Sequence, residues 1–226
     1  MTRPNGAKVD SAHLENSEDV LPMMEVRELG VVPYEDAQAL MKELQQQRID
    51  GQIPDTLLIL SHPEVVTVGP RARNDGIQPP SDYQTIGVDR GGGLTWHGPG
   101  QVVGYPIFKW GEREGEASVA DIIHTIEGWL IDALATFGVN GERDERMQGV
   151  WVNGRKVCSI GLSFLRWVSR HGFSVNLNTP PGRVEGVAGC GLVADTTTSL
   201  AHLGYTISPE AFVKALLPVV QTTLES

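Results

Sequence analysis

The chain has 226 residues, 40% of them apolar, a length and composition that suit one domain with a sizeable core. A net charge of −10 argues against general nucleic-acid binding, and no apolar run approaches the ~18 residues of a membrane span. Met1–Glu25 lacks the apolar run of a secretion signal, so Cys158 and Cys190 are expected as free thiols in a reducing cytoplasm.

Residues 1–22 mix Pro, Gly, Asn, Ser and Glu without periodicity and read as a disordered or loosely attached tail. A single domain is expected over 23–226. Val26 and Leu29 fit a short first strand that Gly30 ends. Tyr34–Ile49 has Ala37, Leu40, Met41 and Leu44 at helical spacing, with Pro33 just ahead. Thr56–Leu60 and Val65–Val68 read as strands. Gly69–Gly76 is expected as a loop carrying Arg71 and Arg73, and Ile86–Val88 as a further strand.

The stretch Asp89–Gln101 packs five glycines, a proline, an arginine and a histidine between two strand-like runs. Glycine concentrates where backbone turns sharply or lies close to another group. Two readings stay open: a substrate-contacting loop, favoured by Arg90 and His97 at its ends, and an elaborate structural turn. Gln101–Ile107 leaves it as a strand, with Pro106 suggesting an edge or a bulge.

Ser118–Phe137 carries the clearest helical stripe, with Ser118 and Asp121 as a capping box and Gly138 as its stop. Val119 is placed on that apolar stripe and His124 on the surface. Asn153-Gly154 between Gly149–Val152 and Arg155–Ile160 predicts a hairpin. Leu162–Val168 and Phe173–Leu177 are expected as strands joined through Ser169–Gly172. A long Pro/Gly-rich loop runs from Thr179 to Gly191, and Pro209–Leu224 closes the chain as a helix capped by Ser208. Strands come in groups with helices between them, which predicts an α+β fold.

Cys190, flanked by glycines in that long loop, is a candidate nucleophile; Cys158, inside a strand, reads as structural. A thiol needs a partner to ionise it, and His62, His97, His171, His202 and Lys156 are available. Lys156 stands in an otherwise apolar strand. Facing a buried site it is a base near neutrality; facing out it is an ordinary hairpin lysine. Six basic against three acidic residues over Glu142–Arg170 suggest either a solvated face or a patch for an acidic partner. No CxxC, HExxH or carboxylate cluster implies a metal.

These pieces together resemble the lipoyl(octanoyl) transferases, or lipoate-protein ligase B family. The resemblance rests on Arg90–Gln101 followed by Tyr105-Pro106, and on His62-Pro63 with Thr67, Gly69 and Arg71. It continues through Gly149–Val152, Lys156, Ser159–Gly161, His171–Phe173, Asn176, Cys190-Gly191 and Thr198–Leu200. One departure is Ala188-Gly189, where the family usually has Asn-Pro ahead of the cysteine.

The resemblance implies mixed β-sheets with flanking helices, as in the biotin and lipoate protein ligases. It implies transfer of an octanoyl group from acyl carrier protein to a lysine of lipoyl domains, such as glycine cleavage H protein and the E2 subunits of 2-oxoacid dehydrogenases. Cys190 and Lys156 take the catalytic positions. Acyl contacts fall on Arg90, Gly91, Gly92, Gly93, Leu94, Thr95, Trp96 and His97, on Ser159, Ile160 and Gly161, and on Gly172, Phe173 and Ser174. Oxyanion donors are sought among the backbone N–H groups of Cys190-Gly191 or Gly91–Gly93. The acyl group arrives activated on phosphopantetheine, so neither ATP nor metal is expected, nor a nucleic-acid or membrane partner. A monomeric, cytoplasmic protein is expected. The alternatives are an ATP-dependent lipoate or biotin ligase on the same fold, and a non-catalytic protein that binds carrier and lipoyl domains.

Overall fold

Alternation along one strand sets the architecture. In β2 (Asp55–Ser61), Leu57 and Ile59 face one apolar cluster while Leu58 and Leu60 face another, so both faces of the strand are covered. The computed structural model describes residues 24–79, 81–187 and 196–225; the tail expected over 1–22 and Cys190 lie outside the described residues.

The main sheet runs β1 (Met24–Val31), β2, β6 (Gln101–Ile107), β9 (Val168–Asn176), β8 (Arg155–Leu165), β7 (Gly149–Val152). β1 pairs parallel to β2 and the other neighbours are antiparallel. Helix α1 (Tyr34–Ile49) covers one face with Ala37, Met41 and Leu44. Helices α3 (Val119–Ala135) and α4 (Pro209–Glu225) cover the other. A second sheet has the order β4 (Thr85–Gly87), β3 (Val65–Val68), β5 (Leu94–His97). Mixed sheets with flanking helices are the α+β class that the strand grouping implied. No helix among the described residues is long and apolar enough to cross a membrane.

Local signals mark several boundaries. Ser118 Oγ accepts the Asp121 N–H at the start of α3, Ser208 Oγ accepts the Ala211 N–H at the start of α4, and Gly138 stands at φ 71° after α3. Asn153 and Gly154, at φ 52° and 71°, close the β7–β8 hairpin.

Other expectations are overturned. Gly69–Gly76 is not all loop: Pro70 opens the five-residue helix α2 (Pro70–Asn74). β1 runs past Gly30, where a register shift absorbs the glycine's φ of 67°. Val119 is 45% exposed, since the apolar stripe of α3 begins at Ile122. The second hairpin turns at Arg166-Trp167, and Ser169–Gly172 lies within β9. Neither Arg nor Trp is a turn residue, and both stand at positive φ (49° and 63°); the eight residue pairs of the β8–β9 ladder outweigh that local strain.

Pro106 is not at a sheet edge either, for β6 is an interior strand. Its ring is accommodated at Gly172: the β6–β9 pairing stops at Gly104↔Phe173, and the Pro106 Cδ points at Gly172. A Cβ on residue 172 would lie 2.6 Å from that Cδ and would collide with the Gly104 carbonyl. Gly172→Ala is therefore expected to lower the unfolding free energy by about 2 kcal/mol or more, read from denaturant melts; an unchanged midpoint would show that β6 and β9 separate freely here.

Candidate active site

A cavity of about 480 Å³ opens between the two sheets, within the usual range for small-ligand sites. One wall is the run Arg90–Trp96, the other is Lys156 and Ser159–Leu162 of β8 with Ser174 and Asn176 of β9. Ile123 of α3, Met147, Val184 and Val187 add apolar surface. His97, Gly172 and Phe173 lie instead around a small adjoining recess, with Tyr34, Tyr105 and His171. The glycine-rich stretch thus contains a strand, β5, between a loop over 89–93 and a turn over 98–100.

Arg90 organises that loop. Its guanidinium is buried and donates to Thr67 Oγ1 (2.7 Å), Thr67 O (3.2 Å), Gly93 O (3.0 Å) and Gly91 O (2.9 Å). The Gly69 and Arg71 N–H groups donate to the Gly93 and Gly92 carbonyls, which seats the loop on the start of α2. The Gly91 N–H donates to Leu162 O at 2.9 Å and joins the loop to β8. That bond removes Gly91 from the expected oxyanion donors.

Lys156 follows the Asn153-Gly154 turn, and the residue is only 4% exposed, so it is not an ordinary hairpin lysine. Its N–H donates to Thr196 O and its carbonyl accepts the Thr198 N–H, which ties the chain beyond Thr196 beside β8. Burial, aided by the Arg90 charge, pushes its ammonium down to about 8, while Cys158 and Glu127 act in the opposite direction. About one such lysine in ten is then neutral at pH 7. Cys158 is a fully buried free thiol whose proton is held tightly by the same burial, which leaves it inert.

The histidines are committed elsewhere. His62 donates from Nδ1 to Val32 O (2.7 Å) and accepts the Tyr105 hydroxyl at Nε2 (2.7 Å). His171 donates from Nε2 to Asp89 (2.8 Å) and accepts Tyr34 at Nδ1 (3.2 Å). His97 donates from Nδ1 to Gln101 Oε1 (2.8 Å), because the Gln101 amide nitrogen already donates to Trp96 O and Asn176 Oδ1. Burial pushes His62 and His171 down to about 4, and His97 well below its ordinary value. All three are neutral structural groups near pH 7. His202 is exposed and lines neither the cavity nor the recess.

Several contributors were not assigned roles from the sequence. Gln101 and Asn176 bridge the two walls, and Asn176 Nδ2 donates on to Thr198 O (3.1 Å). Arg183 grips Glu64 (2.6 Å) and Asp82 (2.8 Å) and lies over the Tyr83 ring, which clamps the turn bearing Val184 and Val187 to the small sheet. A polar pair far apart in sequence gives no periodic signal. The basic run Glu142–Arg170 does not form one patch: Arg143, Arg146 and Arg170 each hold a carboxylate, and Lys156 is buried. Cys190 lies outside the described residues; Val187 and Thr197, on either side of it in the chain, both line the cavity.

The buried histidines set an acid limit. An unfolded chain takes protons at His62 and His171 near their ordinary value of 6.5, whereas the folded chain refuses them until about 4. Their contribution to stability is present above pH 6.5 and is lost as pH falls toward 4. The thermal midpoint should drop across that window, and the His62 and His171 ring resonances should stay untitrated between about pH 7.5 and 5.5. Titration in that range would contradict the assignment.

Residues 33–221 match the family of the lipoyl protein ligase A/B catalytic domain. An octanoyltransferase of Rubrobacter xylanophilus is 42% identical over 186 residues, covering 78% of this chain and 82% of its own. Among solved structures, a bipartite lipoate protein ligase from Thermoplasma acidophilum superposes with a TM-score of 0.64 at 13% identity, over 89% of this chain and 84% of its own. The biotin protein ligase of Aquifex aeolicus gives 0.53 at 11% identity, over 91% and 70%. At those identities the structures speak for the fold, and the sequence relatives for the family: the chain belongs to the octanoyltransferases, within the lipoyl protein ligase A/B catalytic domain family.

Proposed function

We propose that this acyltransferase moves an octanoyl group from acyl carrier protein to a lysine of a lipoyl domain through a thioester on Cys190, with Lys156 carrying the proton. The H protein of glycine cleavage and the E2 subunits of 2-oxoacid dehydrogenases are the acceptors that fit. The observation that carries the reading is a buried lysine, down to about 8, in a cavity whose lining includes the described residues on both sides of Cys190.

Neutral Lys156 takes the thiol proton, and the Cys190 thiolate attacks the donor thioester carbonyl. The tetrahedral intermediate expels the pantetheine sulfur, which leaves with the proton from Lys156. The acceptor amine then attacks the acyl-cysteine, passes a proton to Lys156, and the cysteine departs with it. Thioester exchange is nearly isoenergetic, and the final amide drives the sequence forward without ATP. Oxyanion donors are sought among the N–H groups of Gly92, Gly93 and Cys190-Gly191. The three histidines support Lys156, since burial holds each of them neutral near pH 7.

Incubation with octanoyl carrier protein and no nucleotide should add one octanoyl group by intact mass. The adduct should vanish in Cys190→Ala and persist in Cys158→Ala; the reverse pattern would sink the assignment. An absolute requirement for ATP would favour the ligase chemistry instead. Lys156→Ala should slow adduct formation by roughly 10²–10⁴-fold, and the wild-type rate should climb with pH and level off above about 8, where Lys156 is neutral. At about 0.8 kcal/mol per methylene, a hexanoyl donor should lose roughly 15-fold in kcat/KM. Equal use of both chains would argue against burial of the acyl tail.

A further inference from the structure

Glu127 sits in the apolar face of α3, beside Ile126 and Leu130, with its side chain 8% exposed. An ionised carboxylate is costly there unless its oxygens find partners. Oε1 accepts the Gly149 N–H at 2.8 Å, and Oε2 accepts Arg143 Nε at 3.2 Å. Arg143 in turn donates to the His124 carbonyl at 3.1 Å. One carboxylate therefore joins α3, the connection after it and the first residue of β7. Glu127 is not among the residues lining the cavity.

What it fixes is the surface under Lys156. Gly149 stands at φ 129°, and a Cβ there would lie 2.7 Å from Lys156 Cε and would collide with the Cys158 carbonyl. The lysine stem thus lies directly against the Gly149 α-carbon. The β7–β8 pairing shifts register between Val150 and Trp151, so Val157, next to Lys156, is the extra residue of a bulge, a device that re-aims side chains. A hydrogen bond that holds Gly149 holds the aim of Lys156.

We infer that Glu127 is a positioning residue for Lys156: through Gly149 it fixes the backbone on which the lysine stem lies. The inference rests on Lys156 as the proton carrier proposed above. The groups facing Lys156 are Arg90 from the glycine loop, Glu127 from α3 and Cys158 from its own strand; Glu145 and Arg146 line the same cavity, and Arg143 reaches it through Glu127. Arg90 disfavours the ammonium and Glu127 favours it, consistent with a lysine that titrates near the working pH.

The test uses the full chain, whose five lysines (Lys8, Lys42, Lys109, Lys156, Lys214) give a simple ¹³Cε spectrum. The Lys156 resonance is followed against pH in wild type, Glu127→Gln and Arg143→Met, beside the rate of octanoyl addition to Cys190. Glu127→Gln keeps an acceptor for Gly149 but loses the charge, so the Lys156 midpoint should fall by about half a unit or more. Arg143→Met leaves the carboxylate unneutralised, so the midpoint should rise. Opposite shifts are something general loosening of the fold cannot produce. Glu127→Ala, which loses the hydrogen bond as well, should slow adduct formation about 10-fold beyond Glu127→Gln. Coincident midpoints in the two variants, shifts of the same sign, or equal rates for Gln and Ala would overturn the inference. If wild type forms no adduct at Cys190, the proposed function fails while the resonance midpoints still decide the role of Glu127.

Discussion

The site depends on a guanidinium buried between two sheets. Arg90 donates to oxygens of Thr67, Gly91 and Gly93, so a single side chain holds the glycine loop to β3. The loop is then passed to β8 by the Gly91–Leu162 hydrogen bond and to the base of α2 by Gly69 and Arg71. A glycine loop without such a stitch has too many conformations to form a wall, and ordering it would cost entropy at each binding event. Arg90 removes that cost before any ligand arrives.

The same charge shapes the chemistry around it. A second cation close by, already buried, is pushed toward its neutral form, and Lys156 is in that position. His97 and His171 feel Arg90 as well and stay neutral. His97 Nδ1 is bound to Gln101 and both ring nitrogens of His171 to Asp89 and Tyr34, so the two rings stiffen the recess beside the cavity instead of exchanging protons. Burial and one fixed positive charge thereby separate a titrating lysine from three histidines that an inspection of residue types would rank above it.

Much of the frame was legible in local sequence. Ser118 with Asp121, Ser208 before Pro209, and Asn153-Gly154 each solve a local backbone problem with a few adjacent atoms, so their signals survive without tertiary context. The misreadings share the opposite property. Arg166-Trp167 turns because the β8–β9 ladder closes there, and Ser169–Gly172 stays paired in that ladder, even with His171 at φ 60°, although its composition looks like a turn. Pro106 is tolerated inside a sheet because Gly172, on another strand, leaves it room. The basic run Glu142–Arg170 forms no single patch because Arg143 and Arg170 pair with Glu127 and Asp89 from elsewhere in the chain and Lys156 is buried.

By itself the sequence determined the family, the element types and the residues worth asking about, since motif order and short-range periodicity are properties of the chain. It left Lys156 between a base and a surface lysine, and the glycine stretch between a binding loop and a turn. Only the tertiary structure decided those, because exposure, proton affinity and hydrogen-bond partners are set by what packs against a residue from distant segments. Lys156 is a buried, downshifted lysine because Arg90, Gly149 and Thr196–Thr198 surround it, and no neighbour in sequence could have shown that.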